Sequence, residues 1–209
     1  MQLSGIVVFD PKHEVESDGL DFEVDGESWQ SRDLAYLMMH KPVHHECSHR
    51  PQHHPSVYSL LPLPLQIRGV QSVGRLDEDT SGLLLFTDDG QFIHTYTSPR
   101  KTIGKTYEVR TRHPVTEADA TTLLAGVELH DEPRPIMATR CEIVDEFHLR
   151  LVVTEGKYHM VKRMVAAIGN RVESLHRSAI GNLDLPDDLP AGAWRWLSDH
   201  DLRTIGWRE

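Results

Sequence analysis

Cysteine is scarce in this chain, and its scarcity excludes two kinds of small scaffold. The 209 residues contain two cysteines, Cys47 and Cys141, which lie far apart and form no CxxC pair. A disulfide framework needs several cysteines, and a cysteine-based zinc site needs closely spaced ones. We therefore expect two reduced thiols and neither kind of cross-link.

Long apolar runs and positive charge are scarce as well. No stretch approaches the roughly 20 consecutive apolar residues of a membrane span, and no basic segment followed by an apolar one opens the chain. We expect a cytoplasmic protein with no membrane partner. Lys and Arg number 22 against 32 Asp and Glu, a net charge of −10 with neutral histidines. Because Lys and Arg make the phosphate contacts, any RNA must bind locally and not over the whole surface.

The composition that remains is that of an ordinary globular protein, with 39% hydrophobic and 26% charged residues. This length fits one catalytic domain with a small appendage. In residues 1–33, short apolar pieces are separated by acidic, glycine-containing stretches, which we interpret as an incomplete module or an arm. Residues 34–209 are predicted to form the catalytic domain.

Apolar periodicity and turn residues predict the elements of that domain. The predicted strands are Ala35–Met39, Leu83–Thr87, Thr106–Thr111, Met137–Ile143, Phe147–Thr154 and Val172–Ile180. Helices are predicted from Thr116 to Ala125, from about His159 to Ile168, and from Ser198. Strands adjacent in sequence with few helices between them favour an α+β fold with a mixed, largely antiparallel sheet and flanking helices.

The densest candidate for chemistry is the acidic, glycine-flanked segment Gly74–Gly82, which runs into the apolar residues 83–86. A loop on a buried strand holds a carboxylate rigidly, as a nucleophile or general base requires. For a lone acidic run, a solvated acidic turn is the more common explanation. Asp79-Thr80-Ser81-Gly82 also resembles the Asp-Thr-Gly of aspartic proteases, but that chemistry needs a second carboxylate, and the chain has no second copy of the pattern.

Two further segments combine cations with aromatic rings. Residues 98–109 bring Arg100, Lys101 and Lys105 to the start of a strand that contains Tyr107. Residues 155–164 place Lys157, Lys162 and Arg163 around the start of a predicted helix. Aromatic faces stack on bases and cations hold phosphates. Each segment alone is also explained by a half-buried strand tyrosine or a solvated basic face.

In this order the segments resemble the signature of the RsuA/RluB/RluE/RluF family of bacterial ribosomal RNA pseudouridine synthases. Tyr36 to Pro42 resembles the family's first motif, Gly74–Asp77 its catalytic motif, Lys105–Tyr107 its aromatic motif and Glu155–Met164 its closing motif. The similarity extends to Gly169-Asn170, Leu175-His176-Arg177 and Ile180-Gly181, and so covers roughly residues 35–200. The resemblance implies RNA bound in a cleft across the sheet and no metal or organic cofactor.

The resemblance also implies roles for individual residues. Asp77 is the nucleophile, which attacks either C1′ of the ribose or C6 of the uracil, and both remain open. Lys162 is the cation that keeps Asp77 ionised, and Tyr107 stacks on the uracil that has left its helix. The RNA-binding residues are expected to be Arg75, which helps to hold the flipped nucleotide, and the phosphate contacts Arg100, Lys101, Lys105, Lys157 and Arg163.

The substrate implied is ribosomal RNA or a partly assembled ribosomal subunit, bound by a monomer. Ile93-His94 and Thr97–Arg100 resemble the branch that acts on the small subunit. A synthase for large-subunit RNA or for tRNA, and a non-catalytic RNA-binding or ribosome-assembly protein on the same fold, are the alternatives. Intact Asp77, Tyr107 and Lys162 argue against the non-catalytic one.

Three features depart from the family pattern. Only about thirty residues precede Tyr36, where the family has its small RNA-binding domain, and Met160 stands in place of a glutamine. The third is a loop rich in potential zinc ligands, namely His44, His45, Cys47, His49, His53 and His54. Their spacing matches no recognised structural zinc pattern, so the sequence alone predicts a histidine-rich surface loop and no metal.

Overall fold

The computed structural model describes residues 2–3, 6–7, 9–10, 15, 19–24 and 26–207, and the chain divides into two compact units, residues 1–35 and 36–209. The first unit contains a small antiparallel sheet in the order β2-β1-β3-β4. Its strands are β1 Gln2–Leu3, β2 Ile6–Val7, β3 Asp21–Val24 and β4 Glu27–Gln30. No helix is present among the described residues of this unit.

The second unit contains nine strands and five α-helices among its described residues. The strands are β5 Tyr36–Lys41, β6 Gln71–Ser72, β7 Thr80–Thr87, β8 Lys105–Thr111, β9 Arg140–Asp145, β10 His148–Val153, β11 Val172–Ile180, β12 Leu183–Asp184 and β13 Trp194–Trp196. The helices are α1 Leu63–Arg68, α2 Gly90–Thr97, α3 Glu117–Ala125, α4 Met160–Ala167 and α5 Asp199–Thr204. Short 3-10 helices cover Val57–Leu60 and Pro99–Lys101.

All nine strands of this unit belong to one mixed sheet. Seven form the main path β13-β5-β7-β11-β8-β10-β9, while β6 pairs with β7 and β12 with β11. The pair β7 and β11 is parallel, and the other pairs are antiparallel. The α+β class and the largely antiparallel sheet predicted from the sequence are therefore confirmed.

Two clusters of buried apolar side chains hold the helices against this sheet. In one cluster, Leu123 of α3 and Met164 of α4 pack with residues of β8, β10 and β11. In the other, Phe92 of α2 and Leu202 of α5 pack with residues of β5 and β7. Burial of each such side chain stabilises the fold by roughly 1.5–3 kcal/mol. This packing holds the strand ends that carry the candidate site in place.

Most predicted elements are present with small shifts in their ends. Thr116 caps α3 in a capping box with Asp119, and Ser198 caps α5 in the same way. The strand predicted at Met137–Ile143 begins only at Arg140, because Ala138 donates its main-chain N–H to Leu123 at the end of α3 and not to the sheet. Helix α2 was not predicted, since its glycine and β-branched residues have low helix propensity and burial of Phe92 and Tyr96 stabilises it instead.

Candidate active site

The loop that carries Asp77 lies between β6 and β7 and is held by a buried lysine. Lys41, the last residue of β5, is fully buried, and its ammonium group donates to the main-chain carbonyls of Asp77 at 2.9 Å and Thr80 at 2.8 Å. It also donates to the carbonyls of Glu78 at 3.4 Å and Pro42 at 3.0 Å. Burial lowers the pKa of Lys41. Three of these four carbonyls, those of Asp77, Glu78 and Thr80, belong to the segment that carries the carboxylate, so the ammonium fixes its main chain to the end of β5.

The carboxylate of Asp77 is paired with Lys162 of α4. Lys162 Nζ lies 3.1 Å from Asp77 Oδ2 and 2.5 Å from Asp79 Oδ1, so one ammonium serves two carboxylates. Burial acts to lower the pKa of Lys162, but hydrogen bonds to Asp79 and Asp77 outweigh it and raise that pKa. Burial acts to raise the pKa of Asp79, and Lys162 outweighs it in the opposite direction. The ion pair expected between Lys162 and Asp77 is present.

A second potential cation approaches Asp77 from the start of α4. His159 precedes this helix with a positive φ of 47°, which a side chain other than glycine adopts only under constraint. Its Nε2 lies 3.5 Å from Asp77 Oδ1. The imidazole stacks on Tyr158 with ring centroids 3.8 Å apart, and Tyr158 is 73% exposed. The exposed ring of Tyr158 is thus connected to the candidate nucleophile through the imidazole of His159.

Asp77 opens into a cleft of about 700 Å³, within the range of sites that hold small molecules or a nucleotide. Tyr107 lies in its wall on β8, between Leu151 of β10 and Arg177 of β11. Asp77 and Tyr107 come from segments 30 residues apart and meet because β8 and β7 are both neighbours of β11. The structure thus brings the candidate nucleophile and the candidate stacking ring to one cleft.

Arg177 is a functional candidate to which the sequence assigned no role, although it lies in one of the stretches that resemble the family. It lines the cleft although only 2% of it is exposed, and its Nε donates to the carbonyl of Leu83 at 2.8 Å. Its Nη2 is buried and has no hydrogen-bond partner among the residues that the structure describes. A buried donor without a partner costs free energy, so this nitrogen is suited to an acceptor that a ligand supplies.

Arg177 reaches this position because β7 and β11 approach unusually closely at Gly82. Gly82 has a φ of 114° and pairs with Arg177 in the parallel register. A Cβ atom at Gly82 would overlap the main chain of Arg177. Only glycine therefore permits the strands to meet here, three residues after the pair of carboxylates at Asp77 and Asp79.

The cations predicted to bind RNA fall into two groups. Arg75, Lys105 and Lys157 line the cleft. Lys157 is engaged with Glu132 at 2.6 Å and Glu155 at 3.0 Å, and the hydrogen bond to Glu132 raises its pKa. The residues outside the cleft lining are Arg100 and Lys101, both on the 3-10 helix at Pro99–Lys101, and Arg163, which contacts Glu132 and the carbonyl of His130.

The histidine-rich loop is an ordered part of the cleft wall. Glu46, Cys47, His53 and His54 all line the cleft. Cys47 accepts a hydrogen bond from the main chain of Leu76 at 3.5 Å, and burial raises the pKa of its thiol. This loop therefore contacts the catalytic segment, whereas the sequence predicted only a surface loop.

Comparisons with known proteins agree with this geometry. A family described as RNA pseudouridylate synthase matches residues 35–167. Ribosomal small subunit pseudouridine synthase A of Yersinia pestis is 38% identical over 203 residues, which cover 97% of this chain and 83% of that protein. The protein of the same name from Escherichia coli strain K12 is 38% identical over 195 residues, covering 93% and 81%.

Solved structures give the same result. A crystal structure of a pseudouridylate synthase is 34% identical, with a TM-score of 0.78 over 98% of this chain and 87% of that one. The archaeal box H/ACA Nop10-Cbf5 complex contains a chain with a TM-score of 0.53 at 17% identity, covering 76% and 51%, and shares the fold alone. The family match and the extent of these similarities confirm the resemblance seen in the motifs: the chain belongs to the RNA pseudouridylate synthase family.

Proposed function

We propose that this protein isomerises a uridine of small-subunit ribosomal RNA to pseudouridine, with Asp77 as the nucleophile. The observation that carries the proposal is the position of Asp77: its main chain is fixed by Lys41, its carboxylate is paired with Lys162, and it faces the cleft that Tyr107 lines. Fold and relatives support the reaction class, and the site supports the assignment of residues.

The reaction breaks the N-glycosidic bond, turns the uracil and joins its C5 to C1′ of the ribose. An oxygen of Asp77 forms a temporary bond either to C1′, as the C1′–N1 bond breaks, or to C6, and this bond breaks again before the product is released. Once C5 has joined C1′, C5 loses its proton and N1 gains one, so that there is no net exchange of protons. The reaction needs Asp77 as a carboxylate, and Lys162 Nζ places a positive charge 3.1 Å from Asp77 Oδ2. Tyr107 stacks on the detached uracil, and its hydroxyl assists transfer of the C5 proton.

The target nucleotide must leave its helix before it reaches Asp77, at a cost of a few kcal/mol. Cations in the cleft offset this cost by holding the flipped nucleotide and its neighbours. Arg75 and Lys105 are the predicted contacts in the cleft for which no carboxylate partner is described. Arg177 adds the buried Nη2, which suits a uracil carbonyl or a phosphate oxygen.

The proposed partner is ribosomal RNA, either free or in a partly assembled small subunit, and the proposed active species is a cytoplasmic monomer. The names of the relatives support the small subunit as the source of the RNA. Within the described residues, no helix has both the length and the apolar composition to cross a bilayer. We propose that residues 1–33 are an arm or a remnant of an RNA-binding domain and that residues 34–209 form the catalytic domain.

The test is to incubate the purified protein with small-subunit RNA, alone and bound to ribosomal proteins, and to map pseudouridine along the RNA. We expect one modified uridine with the wild type and none with the matched control Asp77→Asn. Large-subunit RNA and tRNA are tested in parallel, and modification of either in preference to small-subunit RNA would overturn the substrate. Absence of pseudouridine from every RNA would support a non-catalytic RNA-binding protein instead.

A further inference from the structure

Three side chains that can bind a metal meet beside the catalytic loop. His44 follows β5, His54 lies at the far end of the histidine-rich loop, and Glu78 is the residue after Asp77. Glu78 Oε2 lies 3.9 Å from His44 Nδ1 and 3.7 Å from His54 Nε2. One ligand atom from each of the three lies within 4.8 Å of the other two.

Main-chain hydrogen bonds hold the three segments in this arrangement. His44 donates its main-chain N–H to the carbonyl of Glu78 at 2.6 Å. The carboxylate of Glu46 accepts the main-chain N–H groups of His53 at 2.8 Å and His54 at 2.9 Å, which closes the loop. The backbones that carry the three side chains are therefore fixed whether or not an ion is bound, and only side-chain torsions remain to adjust.

We propose that His44, His54 and Glu78 bind a single divalent transition-metal ion of the zinc class. Two imidazoles and one carboxylate are a donor set that such ions favour, and three protein ligands leave one tetrahedral position for water. Bonds of about 2.0–2.2 Å bring tetrahedral donors to about 3.3 Å from one another. The separations in the structure are larger than this, by an amount that rotation of the side chains can close. The side chains of His44, 72% exposed, and Glu78, 42% exposed, have room for such a rotation.

Two other histidines of the loop are directed elsewhere. His45 has its ring at 3.1 Å from the carbonyl of Val43. His49 stacks on Tyr58 with centroids 3.7 Å apart and contacts Gln71 at 3.2 Å. Among the residues that the structure describes, the cluster completed by Glu78 is the one group of three suited to a metal. Because Glu78 lies outside the histidine-rich loop, no spacing of ligands within that loop indicates this set.

The site has a consequence for the catalytic segment. A bound ion would connect the histidine-rich loop to Glu78, and hence to the main chain of Asp77, in addition to the hydrogen bonds of Lys41. Binding to the folded state alone stabilises that state by mass action. We expect the ion to raise the melting temperature and to restrict the catalytic loop.

The experiment is titration of the metal-free protein with Zn²⁺ by calorimetry and with Co²⁺ by visible absorption. We expect one ion per chain and the intense bands of a tetrahedral Co²⁺ site. His44→Ala and Glu78→Gln should each weaken binding at least tenfold, while the matched control His45→Ala, one residue away in the same loop, should bind like the wild type. We expect the variants to fold because the substituted side chains are exposed, and circular dichroism checks this.

Several outcomes would overturn this proposal. They are the absence of saturable binding, a stoichiometry above one that falls equally with His45→Ala, and unchanged affinity in Glu78→Gln. The measurements are repeated in Asp77→Asn, which performs no catalysis under the proposed function. Retained binding in that variant supports the metal site whatever reaction the protein performs, and loss of binding there contradicts the ligand set.

Discussion

The ammonium group of Lys41 donates a hydrogen bond of 2.9 Å to the main-chain carbonyl of Asp77. Lys41→Met should remove the donor that several carbonyls of the catalytic loop share. An unpaired buried carbonyl costs about 1–3 kcal/mol, so we expect the free energy of unfolding to fall by about 2–4 kcal/mol. Activity should fall by at least about tenfold because the nucleophile is displaced. Urea denaturation and initial rates measure the two effects.

The exposed lysine at position 101 provides the stability control for this experiment. Lys101 lies on a 3-10 helix outside the cleft lining, so Lys101→Met should leave the free energy of unfolding within about 0.5 kcal/mol of the wild type. If Lys41→Met were equally harmless to stability, Lys41 would not be the residue that fixes the loop.

Mutation of the two carboxylates that share Lys162 should have very different effects on the reaction rate. Asp77→Asn removes the nucleophile, and we expect its rate to fall at least about 10³-fold with RNA affinity retained. Asp79 is 52% exposed, and an exposed ion pair contributes less than about 1 kcal/mol, so Asp79→Asn should lose no more than about fivefold. Single-turnover rates with filter binding separate chemistry from affinity. Equal losses in both variants would show that Lys162 and its two partners act as one unit.

Gly82 is the position where substitution should damage the fold most directly. Gly82→Ala places a Cβ in the main chain of Arg177 and in a backbone region with φ of 114°. Strain and overlap of this kind cost about 2–5 kcal/mol in total. Gly90→Ala is the matched control, because no atom lies within 4 Å of its Cβ and Gly90 is in helix α2. It should be neutral or stabilising by about 0.5–1 kcal/mol in thermal denaturation.

The sequence predicted best those structural features that depend on neighbouring residues in the chain. Thr116 and Gly126 mark the ends of α3 through capping, and Val172–Ile180 was predicted with the bounds it has. Asp77 was predicted because its contiguous motif resembles the catalytic motif of the family. Its partner Lys162 followed from the resemblance, since no local rule connects residues 85 positions apart.

The features that the sequence did not predict depend on tertiary pairing. The shared use of Lys162 by Asp79, the buried Nη2 of Arg177 and the approach of Glu78 to His44 all arise where separate segments meet. The closing strand β13 has only three residues and is exposed to solvent in part, so its pattern is too short to read. Burial and pairing partners, which a single sequence does not contain, decide each of these cases.

Acid should remove the stabilisation that Asp201 gives to helix α5. Burial acts to raise the pKa of Asp201, but hydrogen bonds from Arg195 and Ser198 lower it from 3.8 to about 2. A depressed carboxylate pKa stabilises the fold above the ordinary value and loses that effect as pH falls through the folded one. Asp201→Asn should therefore cost about 1–2 kcal/mol at pH 7, and the difference from wild type should vanish between about pH 5 and 2.

Urea denaturation at a series of pH values measures this difference. The exposed residue Asp187 supplies the control, because Asp187→Asn should change stability by less than about 0.5 kcal/mol at every pH. A deficit for Asp201→Asn that persisted unchanged at pH 2 would show that packing of the side chain, and not its charge, stabilises α5.

Binding to naked RNA should be weak and only moderately dependent on salt. The net charge is −10, and Arg75, Lys105 and Arg177 are the cleft cations for which no carboxylate partner is described. Each neutralised single-strand phosphate contributes about 0.7 to the slope of log affinity against log salt, so we expect a total of about 2 to 4. Titration of short oligonucleotides and of partly assembled particles tests this. Tight binding to oligonucleotides with a steeper slope would reveal a further basic surface.

The pairing of β13 with β5 has a consequence for how the protein is made. Trp194–Trp196 lies against Leu37–Met39 in antiparallel register, so the opening strand of the second unit receives its outer neighbour from residues more than 150 positions later in the chain. Until then, a nascent chain exposes an apolar strand with unpaired main-chain groups, which favours association with other chains. Contacts of such long sequence separation also form slowly. A chain truncated before residue 194 would therefore lack the outer neighbour of β5 and be prone to aggregate.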